Sequence, residues 1–337
     1  MGLSADCYVW GYRMNTTTGA SASFSPEGAV HPVVETVVAF GETLVDQFLD
    51  RNVLGGAPFN VACHLAAMGS HPVLVTRAGK DELGEQLMQT MIERGLDMRG
   101  VQSDPSRPTG RVLVTESASG HVFDILPDQA YDHIHASMAR MAAMSAHPNL
   151  VYFGTLAQRG ESRRALREML AAVETCALLD VNLRDPWVDA EVMLWSLQQA
   201  AVVKMNEDEL TRICALFSLG GSTPETRAAA LLSSFDLQRI VITQGPAGSW
   251  TLDRTGRIEQ AGGHPLVDLV DTVGAGDGFV AIFMLGMLRG WPVELQMARA
   301  DAFARAICGI RGAVPATPDF YTPFLRDWDI GSGASRA

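Results

Sequence analysis

The residues best suited to chemistry cluster in Asp271–Phe279, which reads Asp-Thr-Val-Gly-Ala-Gly-Asp-Gly-Phe. Gly274, Ala275 and Gly276 carry little or no side chain, so their backbone N–H groups can approach a ligand where an apolar helix begins. Such N–H groups at the positive end of a helix dipole form an anion site. Asp277 is then either an ordinary helix cap or a general base beside a bound phosphoryl group.

A second cluster is Leu54–Asn60, which reads Leu-Gly-Gly-Ala-Pro-Phe-Asn. Gly55 and Gly56 allow the backbone to turn closely around a small ligand, and the proline suits the first turn of a helix. Asn60 offers both a donor and an acceptor, as sugar hydroxyls require, and Asp46 lies upstream near the same loop. Alone, a Gly-Gly pair before a helix is usually only a turn.

Other phosphate-binding motifs are missing from the sequence. Gly79-Lys80 is followed by Asp81 rather than Ser or Thr, so there is no P-loop, and no G-x-G-x-x-G follows the first predicted strand. The net charge of -12 argues against a nucleic-acid partner, although a local anion site is compatible with it. No apolar run is long enough to cross a membrane. Five scattered cysteines without a CxxC pair indicate reduced thiols and a cytoplasmic protein.

Short apolar runs alternate with longer amphipathic segments over most of the 337 residues. This alternation predicts an α/β fold with a central, mostly parallel, doubly wound sheet. The predicted strands are Val33–Phe40, Val73–Arg77, Leu150–Phe153, Ala177–Val181, Val202–Met205 and Ile240–Thr243. The predicted helices cover about 58–69, 81–95, 161–174, 189–200, 206–218, 223–236, 274–289 and 293–310.

Two hairpins interrupt this pattern. Arg111–Thr115 and His121–Leu126 flank a turn-forming segment and predict a small β-sheet that acts as a lid, with insertions at about 44–56 and 109–127. A second hairpin is predicted over 249–261. We expect the α/β unit to span 33–328, with a disordered extension over 1–32 and a disordered tail over 329–337.

Together these motifs resemble those of the ribokinase/PfkB family of sugar kinases. Four motifs occur in the family's order between about residues 33 and 320. The ordered set identifies the family far more specifically than any single motif does. They are Gly55-Gly56-Ala57-Pro58-x-Asn60-x-Ala62 followed by Gly69 and Gly79, Asn206-x-x-Glu209, Thr243-x-Gly245-x-x-Gly248, and Asp271-Thr272-x-Gly274-Ala275-Gly276-Asp277. One departure is Ile282, where the family commonly has glycine, and we expect it to alter helix packing only.

The resemblance implies a doubly wound α/β/α fold with a β-sheet lid, and transfer of a phosphoryl group from ATP, with Mg²⁺, to a sugar hydroxyl. Asp277 would be the catalytic base and Gly274, Ala275 and Gly276 its anion hole. The residues implied to contact the sugar are Asp46, Gly55, Gly56 and Asn60.

The resemblance also implies a nucleotide and metal site. Asn206 and Glu209 would organise Mg²⁺ and the ATP phosphates, directly or through water, while capping the helix that they begin. Thr243, Gly245 and Gly248 would line the nucleotide. A monovalent cation such as K⁺ would lie against backbone oxygens of Asp271–Val273 and of the segment 311–315.

Within the family, the sequence is most similar to the fructokinase branch, with 2-keto-3-deoxygluconate kinase as the closest competitor. The motifs that favour fructose are Asp180-Val-Asn182-Leu-Arg184, Lys204-Met-Asn206 and Phe153-Gly-Thr-Leu-Ala-Gln-Arg159. Arg184 would meet a phosphate or a substrate carboxylate, or would form a structural ion pair with Asp180 or Asp185. The motifs are also compatible with a ribose or nucleoside kinase, or with a catalytically silent regulator that binds a sugar or a nucleotide.

The lid hairpin carries two further candidates. Arg111 and Phe123 are predicted to close over the sugar, although Phe123 could equally be a packing or dimer contact. Lid sheets in this family often pair between subunits, which would cover their exposed edges. The resemblance therefore predicts a homodimer through the lid.

Overall fold

The computed structural model describes residues 35–117, 120–187, 189–262 and 269–330. The predicted extension 1–32 and most of the predicted tail 329–337 lie outside these residues. Thirteen strands occur within the described residues. They are β1 Thr36–Phe40, β2 Leu44–Gln47, β3 Asn52–Gly55, β4 His71–Gly79, β5 Val101–Asp104, β6 Gly110–Ser117, β7 Gly120–Ile125, β8 Leu150–Gly154, β9 Cys176–Asp180, β10 Val202–Asn206, β11 Arg239–Thr243, β12 Ser249–Asp253 and β13 Ile258–Ala261.

Nine of these strands form one sheet in the order β13-β12-β11-β10-β9-β8-β1-β4-β5. The seven strands from β11 to β5 run parallel, and only the β12–β13 edge is antiparallel. The strand order reverses at β1, which lies between β8 and β4. This is the doubly wound α/β arrangement that the sequence predicts. All six predicted strands are present, although residues 33–34 of the first lie outside the described residues.

Helices cover both faces of this sheet. In the described part of the chain they are α1 Ala57–Ala67, α2 Glu82–Glu93, α3 Ala136–Ala146, α4 Ser162–Leu170, α5 Ala190–Gln199, α6 Glu207–Leu216, α7 Pro224–Ser234, α8 Ala275–Leu288, α9 Val293–Cys308 and α10 Thr322–Asp327. One core lies between the sheet and α3–α7, and the other between the sheet and α1, α2, α8 and α9. None of the described helices is both long enough and apolar enough to cross a bilayer.

All eight predicted helices are present, and the sequence analysis missed two, the short α10 and, earlier in the chain, α3. Its N-terminal residue His135 makes no capping bond, so the usual start signal is missing. Met138, Met141 and Met144 are exposed, which blurs the apolar face expected of a surface helix. Ile282 is fully buried in α8, so the core accommodates this departure from the family pattern.

A second sheet contains four strands in the order β3-β2-β6-β7. The pairs β2–β3 and β6–β7 are antiparallel, and β2–β6 is parallel. It corresponds in position to the predicted small sheet. Because directly paired residues share a face, Asp46, Val112 and Ile125 lie on one face together with Phe123, and Arg111 lies with Val45 on the other.

His64 of α1 fastens the C-terminal segment to the core. Its Nε2 lies 3.1 Å from the Ala313 carbonyl and its Nδ1 lies 3.0 Å from the Tyr321 hydroxyl. Since a carbonyl only accepts, Nε2 carries the hydrogen and Nδ1 accepts from Tyr321. Burial lowers the pKa of His64 from its usual 6.5 to about 3, so the ring is neutral in the folded protein.

This neutral histidine predicts a pH-dependent contribution to stability. Between pH about 6.5 and about 3 the unfolded chain binds a proton at His64 that the folded chain excludes, so the stabilisation is lost as the pH falls. For His64→Gln, we expect the free energy of unfolding, measured by urea titration, to fall less steeply between pH 7 and 5 than it does for the wild type. The two slopes should differ by up to about 1.4 kcal/mol per pH unit. The exposed His71→Gln variant should keep the wild-type slope; equal slopes in all three proteins would contradict the assignment.

Candidate active site

The candidate residues meet at one edge of the main sheet. Parallel strands end at a common edge, and the loops there form the usual ligand site of such sheets. The loop after β1 leads to β2 and Asp46, and β3 leads into α1 and Asn60. The loop after β9 carries Arg184, and β10 and β11 end at Asn206 and Thr243. The N-terminus of α8 brings Asp277 to the same place. The sequence motifs are therefore separated in the chain but adjacent in the fold.

Asp277 is held by Asn60. The Asn60 side-chain N–H donates to Asp277 Oδ2 at 2.7 Å, a short bond of the kind made to ionised carboxylates. Burial raises the pKa of Asp277 to about 6; the bond from Asn60 and the positive charges of Lys204 and Arg184 oppose this shift. Asp277 is therefore a carboxylate that loses its proton just below neutral pH, as a general base requires.

The residues of the predicted anion hole, Gly274, Ala275 and Gly276, form the turn into α8 and its first residues. Gly274 precedes α8 with φ of 79°, and a Cβ there would lie 2.3 Å from Ala313 Cα, so only glycine fits. The Ala275 N–H donates to Thr272 O at a long 3.3 Å. The next N–H groups, of Gly276 and Asp277, belong to the first helical turn, where no intrahelical acceptor exists. The helix therefore presents donors beside Asp277.

Lys204 is a charged group of the site to which the sequence analysis gave no role. Its Nζ lies 3.0 Å from Asp180 Oδ1, and a Cβ on Gly276 would lie 3.2 Å from the same Nζ. Burial works against the charge, but Asp180, Glu209 and Asp277 outweigh it and raise the pKa of Lys204. The only signal in the sequence was its place two residues before Asn206.

Glu42 was also missed. It is 4% exposed, and its Oε2 is buried without a hydrogen-bond partner among the described residues, as is Asn60 Oδ1. Burial raises the pKa of Glu42 to about 7, against the opposing charge of Arg184. Two unpaired buried acceptors beside Asp277 suit a ligand that brings hydroxyl donors. Its only sequence signal is its position after the first strand, four residues before Asp46.

Asp46 and Arg184 form the entrance to this cluster. Burial raises the pKa of Asp46 to about 6, and the positive charge of Arg184 opposes the shift. The two carboxylates predicted as ion-pair partners of Arg184 pair with other cations. Asp180 pairs with Lys204, and Asp185 pairs with Arg212 at 2.8 Å. The exposed Arg184 instead influences Glu42, Asp46 and Asp277 through its charge.

Gly55 and Gly56 join β3 to α1. Gly56 has φ of 105°, and a Cβ there would lie 2.5 Å from the Glu42 carbonyl oxygen. At Gly55 a Cβ would approach Asp46 Oδ2 to 3.4 Å, which shows how closely this turn lies to that carboxylate. The pair of glycines therefore lets the turn pack against both acidic residues while leading to Asn60.

Asn206 and Glu209 form a capping box at the start of α6. Asn206 Oδ1 accepts from the Glu209 N–H at 2.8 Å, and Glu209 Oε2 accepts from the Asn206 N–H at 2.9 Å. Glu209 Oε1 also accepts from the Leu183 N–H at 2.8 Å. Glu209 thus fixes the loop that carries Arg184. Among the described residues no three His, Cys, Asp or Glu side chains are grouped so as to hold a metal.

The remaining nucleotide and cation candidates have clear structural roles. Gly245 begins a short 3₁₀ turn after β11 and Gly248 ends it, where a Cβ would lie 2.2 Å from the Ala261 carbonyl oxygen. Asp271 accepts the Val273 N–H through Oδ1 and the Gly312 N–H through Oδ2, both at 3.1 Å. It therefore holds together the two backbone segments predicted to bind a monovalent cation.

The two lid candidates do not share a face. Phe123 is half exposed and lies on the Asp46 face of the small sheet, as a residue that closes over a sugar should. Arg111 lies on the opposite face, and its charge helps to lower the pKa of Asp81 at the start of α2. Strand alternation separates them, so the expectation that both close over the same ligand is not supported.

Fold and site together resemble those of a kinase of small molecules, with a glycine-rich helix N-terminus beside the buried carboxylate of Asp277. The sequence profile of the pfkB family of carbohydrate kinases matches residues 29–319. The chain belongs to this family and is an ATP-dependent sugar kinase.

Known proteins agree with this assignment. Fructokinase-1 of Oryza sativa is 30% identical over 320 residues, which cover 84% of this chain and 95% of the relative. The crystal structure of fructokinase with bound ATP from Xylella fastidiosa has a TM-score of 0.76 at 19% identity, covering 88% of this chain and all of that one. The 2-dehydro-3-deoxygluconokinase of Thermotoga maritima has a TM-score of 0.73 at 18% identity, covering 86% and 99%. The two structures show the shared fold.

The bond from Asn60 predicts the pH dependence of activity. Because this bond stabilises the ionised form of Asp277, Asn60→Ala should raise the pKa of Asp277 above about 6. We expect the acid limb of the kcat/KM profile to move to higher pH by about half a unit or more. Asn149→Ala, which removes a cap from β1 at the opposite edge, should leave the limb in place. An unshifted limb in Asn60→Ala would show that another group controls the profile.

Proposed function

We propose that this enzyme transfers the γ-phosphoryl group of ATP to the C6 hydroxyl of fructose. The observation that carries the proposal is Asp277, held by Asn60 at the glycine-rich start of α8. The acidic and amide groups suited to sugar hydroxyls lie on one side of Asp277, and the helix N–H donors suited to a phosphoryl group lie on the other. Fructose is favoured over other sugars by the similarity to Oryza sativa fructokinase-1 and by the branch motifs of the sequence.

In the proposed reaction Asp277 takes the proton of the attacking hydroxyl. A bond forms between the sugar oxygen and the γ-phosphorus as the bond from that phosphorus to the β,γ-bridging oxygen breaks, which leaves ADP. The N–H groups of Gly276 and Asp277 stabilise charge on the transferring group. Lys204 neutralises Asp180 next to Gly276, which limits repulsion between that carboxylate and the incoming phosphates.

The residues at the proposed nucleotide site suit Mg²⁺ that arrives with ATP. Both carboxylate oxygens of Glu209 and the side-chain Oδ1 of Asn206 already accept backbone N–H groups, so they can contact the ion's water shell better than the ion itself. Mg²⁺ retains waters and uses substrate phosphates as ligands. When bound, it neutralises phosphate charge. Thr243, Gly245 and Gly248 are proposed to line the nucleotide, and Asp271–Val273 to bind K⁺.

The small sheet is proposed to act as a lid, with Phe123 and Asp46 on the face that covers the sugar. Closure would exclude water and limit wasteful hydrolysis of ATP. We propose a homodimer that pairs these sheets at their edges, as the family resemblance implies, and a monomeric mass by light scattering would oppose it. We propose a cytoplasmic location from the scattered cysteines of the sequence, and the described ones, Cys63, Cys176, Cys214 and Cys308, are buried.

A 2-keto-3-deoxygluconate kinase is the second candidate. The exposed Arg184 at the entrance could pair bidentately with the carboxylate of an acid sugar. The three acidic residues around it, Glu42, Asp46 and Asp277, favour a neutral sugar instead, because an acidic sugar would add negative charge beside carboxyl groups whose ionisation burial already disfavours.

Removing the proposed base should abolish turnover without abolishing binding. In Asp277→Asn we expect kcat to fall on the order of 10²-fold or more while the sugar dissociation constant, measured by calorimetry, stays within about threefold. Asp208→Asn, an exposed carboxylate in the first turn of α6, is the matched control and should retain wild-type kcat. Near wild-type turnover in Asp277→Asn would refute the general-base role.

The substrate is tested by measuring ADP release with a panel of fructose, 2-keto-3-deoxygluconate, ribose and adenosine. We expect the highest kcat/KM with fructose, and Arg184→Met should reduce that value by about tenfold or more. Turnover of the acid sugar but not of fructose would establish the second candidate. Binding of sugar without turnover of any of these compounds would indicate a silent regulator.

A further inference from the structure

Arg159 lies just after β8, and its largely buried side chain has no part in the proposed reaction. Its side chain is 12% exposed and forms a two-point ion pair with Asp132, with Nε–Oδ1 at 2.8 Å and Nη2–Oδ2 at 3.2 Å. Nη2 also donates to the Tyr131 hydroxyl at 2.5 Å. A planar guanidinium held this way has little freedom to move.

These contacts attach Arg159 to both ends of the β6–β7 hairpin. Tyr131 is fully buried, and its ring packs so closely on Gly110, the first residue of β6, that a Cβ there would lie 2.6 Å from the ring. Nη2 of Arg159 also lies 3.5 Å from the carbonyl of Leu126, which follows β7 directly. Through these contacts Arg159 binds to the segments that join the small sheet to the main domain.

The same guanidinium contacts the loop that carries Arg184. It stacks over the Trp187 ring at 4.2 Å and lies 5.2 Å from the Tyr131 ring. The backbone N–H of Trp187 donates to the Arg184 carbonyl at 2.8 Å, so Trp187 and Arg184 belong to one tight turn. A displacement of Arg159 would therefore reach both the small sheet and the Arg184 turn.

We propose that Arg159 is a positioning residue that couples the lid to the Arg184 turn, so that both close on the sugar together. This inference rests on the proposed lid and sugar kinase function. Arg159 touches neither reacting group; it acts through Tyr131, Asp132 and Trp187. Its loss would leave the lid free to sit over the nucleotide without Arg184 in place, which admits water to the phosphoryl group.

Two variants probe the coupling with different risks to folding. Arg159→Lys keeps the charge beside buried Asp132 but loses the planar fork, whereas Trp187→Leu removes only the stack on the Arg184 side. The matched control is Arg167→Lys, because Arg167 also pairs with a carboxylate, Glu191, and lies over a tryptophan ring, Trp195 at 5.2 Å.

We expect both test variants to raise KM for the sugar by about tenfold while KM for ATP stays within about twofold. The ratio of ADP formed to sugar phosphate formed should rise above one in both variants and stay at one in Arg167→Lys. The double variant should be no worse than the more severe single one, because both changes break the same link. If only kcat falls and the ratio of ADP to sugar phosphate stays at one, Arg159 has only a structural role and the proposal is overturned.

Amide hydrogen exchange, measured on the protein without substrates, tests the coupling independently of activity. In both test variants, backbone amides of β6–β7 and of residues 182–187 should exchange faster together, and Arg167→Lys should match the wild type. Faster exchange in one segment only would overturn the coupling. If the wild type phosphorylates no sugar, the proposed function fails, and the exchange result still decides whether Arg159 links the two segments.

Discussion

The hydrogen bond from Asn60 to Asp277 is the contact on which the site depends. It joins residues 217 positions apart, so it exists only if the N-termini of α1 and α8 meet at one edge of the sheet. Two turns make this possible: Gly56 before α1 and Gly274 before α8 have positive φ and pack where a Cβ would collide with backbone. The parallel sheet supplies the common edge, and the glycines supply the close approach.

The second constraint is an excess of buried negative charge. Burial raises the pKa values of Glu42 to about 7 and of Asp46 and Asp277 to about 6, while Lys204 and Arg184 provide the opposing charge. A site of this kind is stabilised by ligands that bring hydroxyl donors and cations, and burial holds the pKa of its carboxylates close to neutrality. In the proposed site the ATP phosphates meet helix N–H groups rather than a basic surface, which is compatible with an acidic protein.

Local signals in the sequence predicted much of this arrangement. Continuous apolar runs identified β1, β4, β8, β9, β10 and β11, and glycine and capping residues located the starts of α1, α6 and α8. What remained hidden depends on tertiary contacts. Lys204 gains its role from Asp180 and Gly276, and Arg159 gains its role from three separate segments. The opposite faces of Arg111 and Phe123 follow from strand register, which the hairpin pattern alone did not fix.

In the proposed mechanism Asp277 faces the attacking hydroxyl while the start of α8 holds the transferring group. A crystal structure with fructose, ADP and aluminium fluoride would test this arrangement. We expect the fructose C6 oxygen within about 2.6–3.2 Å of an Asp277 carboxylate oxygen and the fluoride ligands against the N–H groups of Gly276 and Asp277. A sugar hydroxyl that approaches the fluoride from elsewhere, with Asp277 bound only to Asn60, would contradict it.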